Sequence, residues 1–252
     1  NIQIPQHQNR VIGNLDISEL FEFKELFFVL ALREFQVRYK QTVIGILWAI
    51  LRPVLTMVVF TFLFGTIAKL PSDGIPYPVF SYSGLLIWTF FSTALSASSS
   101  SMIGNSKLIT KIYFPRVIIP VSSTIVSLID YAIAFIILLG LMLYYNISFT
   151  YTMPIFLLSL LVSWILSIGL GFWFSAINVK YRDVQYALPF LIQLIMYATP
   201  VIYPVSIAGQ YQWILSLNPM SGLVEMHRAA LLGGTINWEL FGISAIITLV
   251  VF

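Results

Sequence analysis

The chain has 252 residues, 59% of them hydrophobic and only 9% charged. With a mean hydropathy of +0.91, where a soluble domain carries about 25% charged residues, this composition excludes an ordinary soluble fold and implies an all-α membrane protein. Cysteine is absent and only His7 and His227 supply imidazoles, which leaves no basis for disulfides or thiolate chemistry and none for a metal site; the net charge of +3 is read as basic cytoplasmic loops, with no nucleic-acid partner.

In chain order, the polar start NIQIPQHQNRVIGN lacks the apolar core of a secretory signal. Residues 16–40 predict a helix. Asp16 with Glu19 forms a capping-box-like start, and Glu34 with Arg38 an i,i+4 pair. Its longest apolar run, LFFVLAL, has seven residues, too few to cross a hydrocarbon core. Glu22, Glu25, Arg33, Glu34 and Arg38 mark a polar side. The expectation is an amphipathic helix lying in the membrane interface; the alternative is a soluble helix packed on another domain.

Apolar runs predict spans at 43–68, 79–103, 117–145, 153–179 and 184–203, with a sixth starting at 238. Residues 238–252 are too few to cross, so a longer chain is expected. Between spans five and six, Asn218-Pro219 is a helix start and Gly233-Gly234 a stop. They enclose a short helix that is re-entrant or laid on the outer surface. The serine run at 96–101 is read as small-residue helix packing inside span two.

Orientation follows from the cations. Arg10, Lys24, Arg33, Arg38, Lys40 and Arg52 precede or open span one; Lys107, Lys111 and Arg116 lie between spans two and three; Lys180 and Arg182 lie between four and five. Only Lys69 and Arg228 lie elsewhere, so the N-terminus and both basic loops are expected in the cytoplasm.

The chemistry open to this chain is narrow. It has no G-x-x-x-x-G-K-[ST], H-E-x-x-H or G-x-S-x-G motif, so it is expected neither to bind a nucleotide by that loop nor to be an enzyme. Asp130, inside span three, is either a packing partner of another helix or a polar contact in a pathway. Arg52 either snorkels to the interface or lines a vestibule for an anionic substrate. With Arg52, the aromatics Trp88, Phe90, Phe91, Trp173 and Tyr197 are candidates for a translocation path, because ring faces stack on sugars without trapping them. Core and lipid contact is the competing reading.

The segment LITKIYFPRVIIP carries Lys111 and Arg116, with Lys107 just upstream and Asn105 or Ser106 as a helix cap. Its cations serve as a positive-inside anchor. Its short helix with Leu108, Ile112, Tyr113 and Phe114 also suits docking into a groove of a partner.

Four blocks then carry a resemblance: RYKQTVIGILWAILRPVLTMVVFTFLFG at 38–65, YSGLLIWTFFSTALSASSSSMIGNSKLITKIYFPR at 82–116, NVKYRDVQYALPFLIQLIMYATPVIYP at 178–204 and NPMSGLVEMHRAALLG at 218–233. Over nearly its whole length the chain resembles the permease subunit of ABC-2 type polysaccharide exporters, which move lipid-linked O-antigen or teichoic acid across the bacterial inner membrane. The resemblance implies a single six-span domain that pairs with a second copy of itself and with two copies of a separate ATPase, which binds ATP and Mg. It implies an interface helix at 16–40 and a coupling helix at 105–116, with Lys107, Leu108, Lys111, Ile112, Tyr113, Phe114 and Arg116 as coupling residues. It also implies a re-entrant external segment at 204–234, with Tyr203, Asn218, Pro219, Glu225 and Arg228 forming the external gate. The expected substrate is a lipid-linked glycan. The rival functions are ABC-2 export of a drug or a simple lipid and, in another class, an ion-coupled carrier. Two departures bear on the gate and on substrate contacts: Ile87 stands where proline is expected, and EMHR at 225–228 replaces EGFR.

Overall fold

The computed structural model of the chain describes residues 23–40, 45–111, 114–181 and 183–252, with the side chain of Ile46 excepted. The expected capping box at Asp16 and Glu19, together with Glu22, Ile112, Tyr113 and Arg182, lies outside the described residues. The described residues are helical and contain no strand.

The elements in order are α1 (Lys24–Tyr39), α2 (Trp48–Phe60, entered through a tight turn at Gly45–Leu47 and prolonged by a π-helical stretch, Thr61–Ile67), α3 (Tyr77–Gly104) and the single turn α4 (Ser106–Ile109). They continue with α5 (Ile118–Tyr144), α6 (Phe156–Lys180, preceded by a turn at Met153–Ile155) and α7 (Val184–Ala198). A tight stretch at Val205–Tyr211 leads to α8 (Gln212–Ser216), α9 (Pro219–Leu232) and α10 (Trp238–Val251).

Four stretches are long and apolar enough to cross a membrane: Trp48–Ile67, Tyr77–Gly104, Ile118–Tyr144 and Met153–Lys180. α7 and α10 are apolar but have only 15 and 14 residues. α7 stops at Ala198 rather than at residue 203 because Thr199 is extended (φ −99°, ψ 142°), the conformation imposed on a residue that precedes proline, here Pro200.

α3 is the axis of the bundle. In its most apolar window 78% of residues are buried, against 17% for the first span, so α3 is wrapped by its own chain and α2 is not. α5 and α6 cover it on two sides, and α2 and α9 close the rest. The serines make this approach possible. Ser98, Ser99 and Ser101 are buried, and Ser96, Ser100 and Ser101 return their hydroxyl protons to carbonyls one turn back at 2.7–2.9 Å. Small, self-satisfied side chains let helices close together where lipid supplies no hydrophobic drive for association.

α9 is inserted into one end of this bundle. Asn218 caps it by accepting from the Met220 amide at 3.1 Å, Pro219 takes the first position, and Gly233 ends it at φ +76°. Eleven of its residues between Met220 and Leu231 are buried, so α9 lies within the bundle and not on its surface. It crosses α10 closely at Gly222, where a Cβ would stand 2.5 Å from the Leu240 carbonyl oxygen.

α1 has its partner within the same chain. It packs along α5, burying Leu30 against Phe114, Ile118 and Ile119. Further along, Arg33 donates to Asn105 Oδ1 at 2.6 Å, and Arg38 reaches Asp130. Asp130 lies twelve residues into α5, about 18 Å along its axis at 1.5 Å per residue. Meanwhile Phe28 (62% exposed), Val29 (58%), Leu32 (43%) and Val37 (63%) face outward. Of the expected polar side, Arg38 turns toward the bundle while Glu25 and Arg33 stay exposed, and these four apolar side chains share the outer face with them. The reason is tertiary, since the partner of Arg38 is 92 residues away in sequence.

Candidate functional site

Two polar clusters inside the bundle and one basic segment at its end hold the sequence-predicted residues. The first cluster surrounds Asp130. Arg38 Nη1 lies 2.5 Å from Asp130 Oδ2, and the Tyr39 hydroxyl donates to Asp130 Oδ1. The carboxylate is a packing partner between α5 and α1, the first of the two readings its sequence position allows. Arg52 stands nearby, exposed, with its guanidinium 5.8 Å from the centre of the Trp48 ring. Among the described residues no carboxylate pairs with it.

The second cluster is built on α9. Arg228 is buried and donates through Nη2 to the carbonyls of Pro200 (2.9 Å) and Val201 (3.0 Å), with its guanidinium 3.8 Å over the Phe80 ring. Glu225, one turn earlier, lies 3.6 Å from Nη1. The same turn of chain is held from other directions: Asn218 donates to Thr199 Oγ1 at 2.8 Å, and the Tyr77 hydroxyl donates to Ile202 O at 2.9 Å. Gly84 provides the space, since a Cβ there would stand 2.6 Å from Arg228 Nη2. Two of the predicted gate residues, Asn218 and Arg228, therefore converge on residues 199–201, and a third, Glu225, flanks Arg228. Pro219 opens α9, and Tyr203 bonds back to the Tyr197 carbonyl at 3.3 Å.

His227, on the other side of α9, was not among the predicted site residues. Its Nδ1 is 3.0 Å from Ser159 Oγ and its Nε2 3.2 Å from the Tyr131 hydroxyl, with Phe156 edge-on to the ring. Ser159 also donates to the Phe156 carbonyl at 2.7 Å. One proton arrangement satisfies all of these groups: Tyr131 donates to Nε2, Nδ1–H donates to Ser159, and Ser159 donates to its own helix. The serine proton is thus committed to a carbonyl, which fits a structural pin and gives no activated nucleophile. Burial first, and the Arg228 guanidinium second, push the His227 pKa down to about 3. The sequence signal was its place beside Arg228 on a short, capped, mostly apolar helix.

The basic segment is compact. α4 is one turn, shorter than the two turns expected before Pro115. Asn105 does not cap it: its oxygen accepts from Arg33 and its amide donates to Ser101 O at 2.9 Å. Lys107, Lys111 and Arg116 are exposed, Leu108 is half-buried, and Phe114 is buried in the cluster with Leu30, Ile118 and Ile119. Of the remaining path candidates, Trp88, Phe90 and Phe91 are buried in the core, whereas Trp173 and Tyr197 are exposed, Trp173 donating to Val251 O at 3.0 Å. Among the described residues there is no group of histidines and carboxylates able to hold a metal.

Against known proteins, the family described as ABC-2 type transporter matches residues 25–232. The O-antigen export system permease protein RfbA of Myxococcus xanthus is 31% identical over 217 residues, 84% of this chain and 82% of that protein. The protein of the same name from Klebsiella pneumoniae is 28% identical over 224 residues, 87% of this chain and 85% of that protein. The polysialic acid transport protein KpsM of Escherichia coli is 29% identical over 214 residues, 82% and 81%.

Proposed function

Because the chain belongs to the ABC-2 type transporter family, we propose that it is the membrane-spanning subunit of an ATP-driven exporter that carries a lipid-linked polysaccharide out of the bacterial cytoplasm. The observation that carries this is similarity along most of the chain to permeases named for two different glycans, O-antigen and polysialic acid. Hydrolysis of ATP, with its Mg, falls to a separate partner chain. The working unit pairs two copies of this chain with two ATPase subunits. The 17% burial of the first span supports a second copy, since that helix is barely covered by its own chain. α7 is the fifth span and α10 belongs to the sixth, the N-terminus is cytoplasmic, and α9 with residues 199–204 forms a re-entrant external gate.

Coupling runs through residues 105–116. The exposure of Lys107, Lys111 and Arg116 supports a docking face there, while the burial of Phe114 supports a role in holding the segment against α1 and α5. Lys107, Leu108, Lys111, Ile112 and Tyr113 form the side offered to the ATPase. The path is lined by the exposed Arg52, Trp173 and Tyr197; the buried Trp88, Phe90 and Phe91 shape its wall from behind.

The test is reconstitution of the chain with its candidate ATPase in vesicles, followed by addition of the lipid-linked polymer. ATP hydrolysis rises several-fold with polymer. A complex that assembles and hydrolyses ATP at a basal rate, yet ignores the polymer, refutes the assignment.

A further inference from the structure

α1 covers polar space. Between α1, α2, α3 and α5 lies a cavity of about 250 Å³, lined by Arg38, Trp48, Arg52, Thr89, Ser127 and Asp130 among others. A second cavity of about 460 Å³ continues beneath α1, lined by Arg33, Glu34, Ser100, Ser101, Asn105 and Ser123. Arg38 borders both. The two cavities thus lie on either side of Arg38 behind α1, one reaching Asn105 and the other Asp130.

Its charge is unbalanced where it is deepest. The upper cavity holds two guanidiniums and one carboxylate. Asp130 answers Arg38, while Arg52, among the described residues, meets the face of Trp48 and no carboxylate. Arg52 lies in the second turn of the first span, and an arginine near a span end with no carboxylate paired to it among the described residues is a ready partner for an anion. A second observation points to a missing ligand. Ser127 is fully buried, lines this cavity, and its hydroxyl has no hydrogen-bond partner among the described residues. Orphaned hydroxyls of this kind call for an occupant. The volume equals that of about eight waters at roughly 30 Å³ each, which suits a phosphate or diphosphate group and is too small for a run of sugars. Guanidinium forks match phosphoryl oxygens in two-point geometry.

We infer that this cavity binds the phosphoryl group of a lipid carrier, with Arg52 as its primary contact, Ser127 as a hydrogen-bond donor, and Arg38 shared between the ligand and Asp130. The inference rests on the polysaccharide-export reading for the identity of the carrier, and it assigns that reading a headgroup site. The apolar outer surface beside the cavity keeps the hydrocarbon tail in the bilayer: Leu47 and Leu55 flank Arg52 and are exposed, as are Phe28 and Val29 on α1. The lower cavity gives the sugars attached to the phosphate a polar way in.

Calorimetric titration of the purified full-length chain in detergent tests this with three probes: farnesyl diphosphate, inorganic pyrophosphate and phosphatidylglycerol micelles. Farnesyl diphosphate binds saturably and at least tenfold more tightly than the other two. Arg52→Gln weakens it at least tenfold, while Arg52→Lys, which keeps the charge without the fork, loses less. Equal affinity for pyrophosphate or phosphatidylglycerol overturns the assignment to a lipid carrier, since the site then reads a free anion or bulk lipid. Unchanged affinity in Arg52→Gln overturns the site altogether. Arg52 is exposed, so this variant keeps the fold, and co-purification with the ATPase checks that it does. Polymer-stimulated ATP hydrolysis with no Arg52-dependent binding removes the site alone. Arg52-dependent binding without polymer stimulation removes the export reading alone.

Discussion

Separating Arg38 from Asp130 should detach α1 from the bundle. The pair is close, 2.5 Å, and partly shielded, with 34% of the Arg38 side chain and 19% of the Asp130 side chain exposed. Exposed ion pairs contribute about 0.2–1 kcal/mol, whereas breaking a buried one costs about 3–5 kcal/mol. A cation one-third exposed lies between these limits after discounting for solvent, giving a coupling of about 1–3 kcal/mol. The hydrogen bond from Tyr39 to the same carboxylate adds about 1 kcal/mol that Asp130→Asn weakens and Arg38→Gln spares. The assay is a double-mutant cycle, Arg38→Gln and Asp130→Asn alone and combined, followed by equilibrium unfolding in mixed micelles of rising dodecyl sulfate fraction. The double variant should lose less than the sum of the singles, and Asp130→Asn should be the more damaging single change. Hydrogen exchange over residues 24–39 should rise in each single variant. Additivity within about 0.5 kcal/mol refutes the reasoning, since it leaves the two side chains energetically independent.

Three further outcomes follow from the packing. Gly222→Ala places a methyl 2.5 Å from the Leu240 oxygen and 2.9 Å from its carbon, so α9 and α10 must part; the melting temperature should fall by the equivalent of about 1–3 kcal/mol, and an unchanged value denies the close crossing. His227 has its pKa lowered to about 3 from an ordinary 6.5. The unfolded chain therefore binds the extra proton between those values, and stability rises with pH across that window. Acidification from pH 7 to 5 should cost about 2 kcal/mol through this residue, and unfolding of His227→Gln should lack that component. Phe114→Ala should destabilise the purified chain by about 3–5 kcal/mol, whereas the paired change Lys107→Ala and Lys111→Ala should leave its melting temperature unchanged and reduce co-purified ATPase. The opposite pattern would assign the aromatic ring, and not the cations, to the partner.

What could be seen in the sequence was local. Asn218-Pro219 and Gly233 delimit α9 because caps act within a turn of the residue that carries them. The four long spans declare themselves by continuous apolarity. The π-helical stretch at Thr61–Ile67 and the early end of α7 are local too, but weaker in signal. What could not be seen was long-range. Amphipathic patterning gives α1 a polar side without saying what that side faces, and Asp130 supplies the answer from another helix. His227 looked isolated because Tyr131 and Ser159, its partners, lie 96 and 68 residues away. Asn105 looked like a cap until Arg33 claimed its oxygen. Phe90 and Phe91 carry no mark in the sequence of which side of α3 they occupy, and the close approach of α5 and α6 buries them.

The pairing of α1 with α5 also sets a timetable. Arg38 leaves the ribosome 92 residues before Asp130, a delay of roughly 5–20 s at 5–20 residues per second. Through that interval the acidic neighbour of Arg38 is Glu34, one turn away on its own helix, and the membrane surface is where such a charged stripe is tolerated. α1 therefore cannot take its final place against α5 until that later helix has been made. The Arg38–Asp130 contact waits on the insertion of a span synthesised later. A chain truncated before Phe114 should leave a cysteine placed at position 30 open to water-soluble labels, and the complete chain, in which Leu30 is buried against Phe114, Ile118 and Ile119, should protect it.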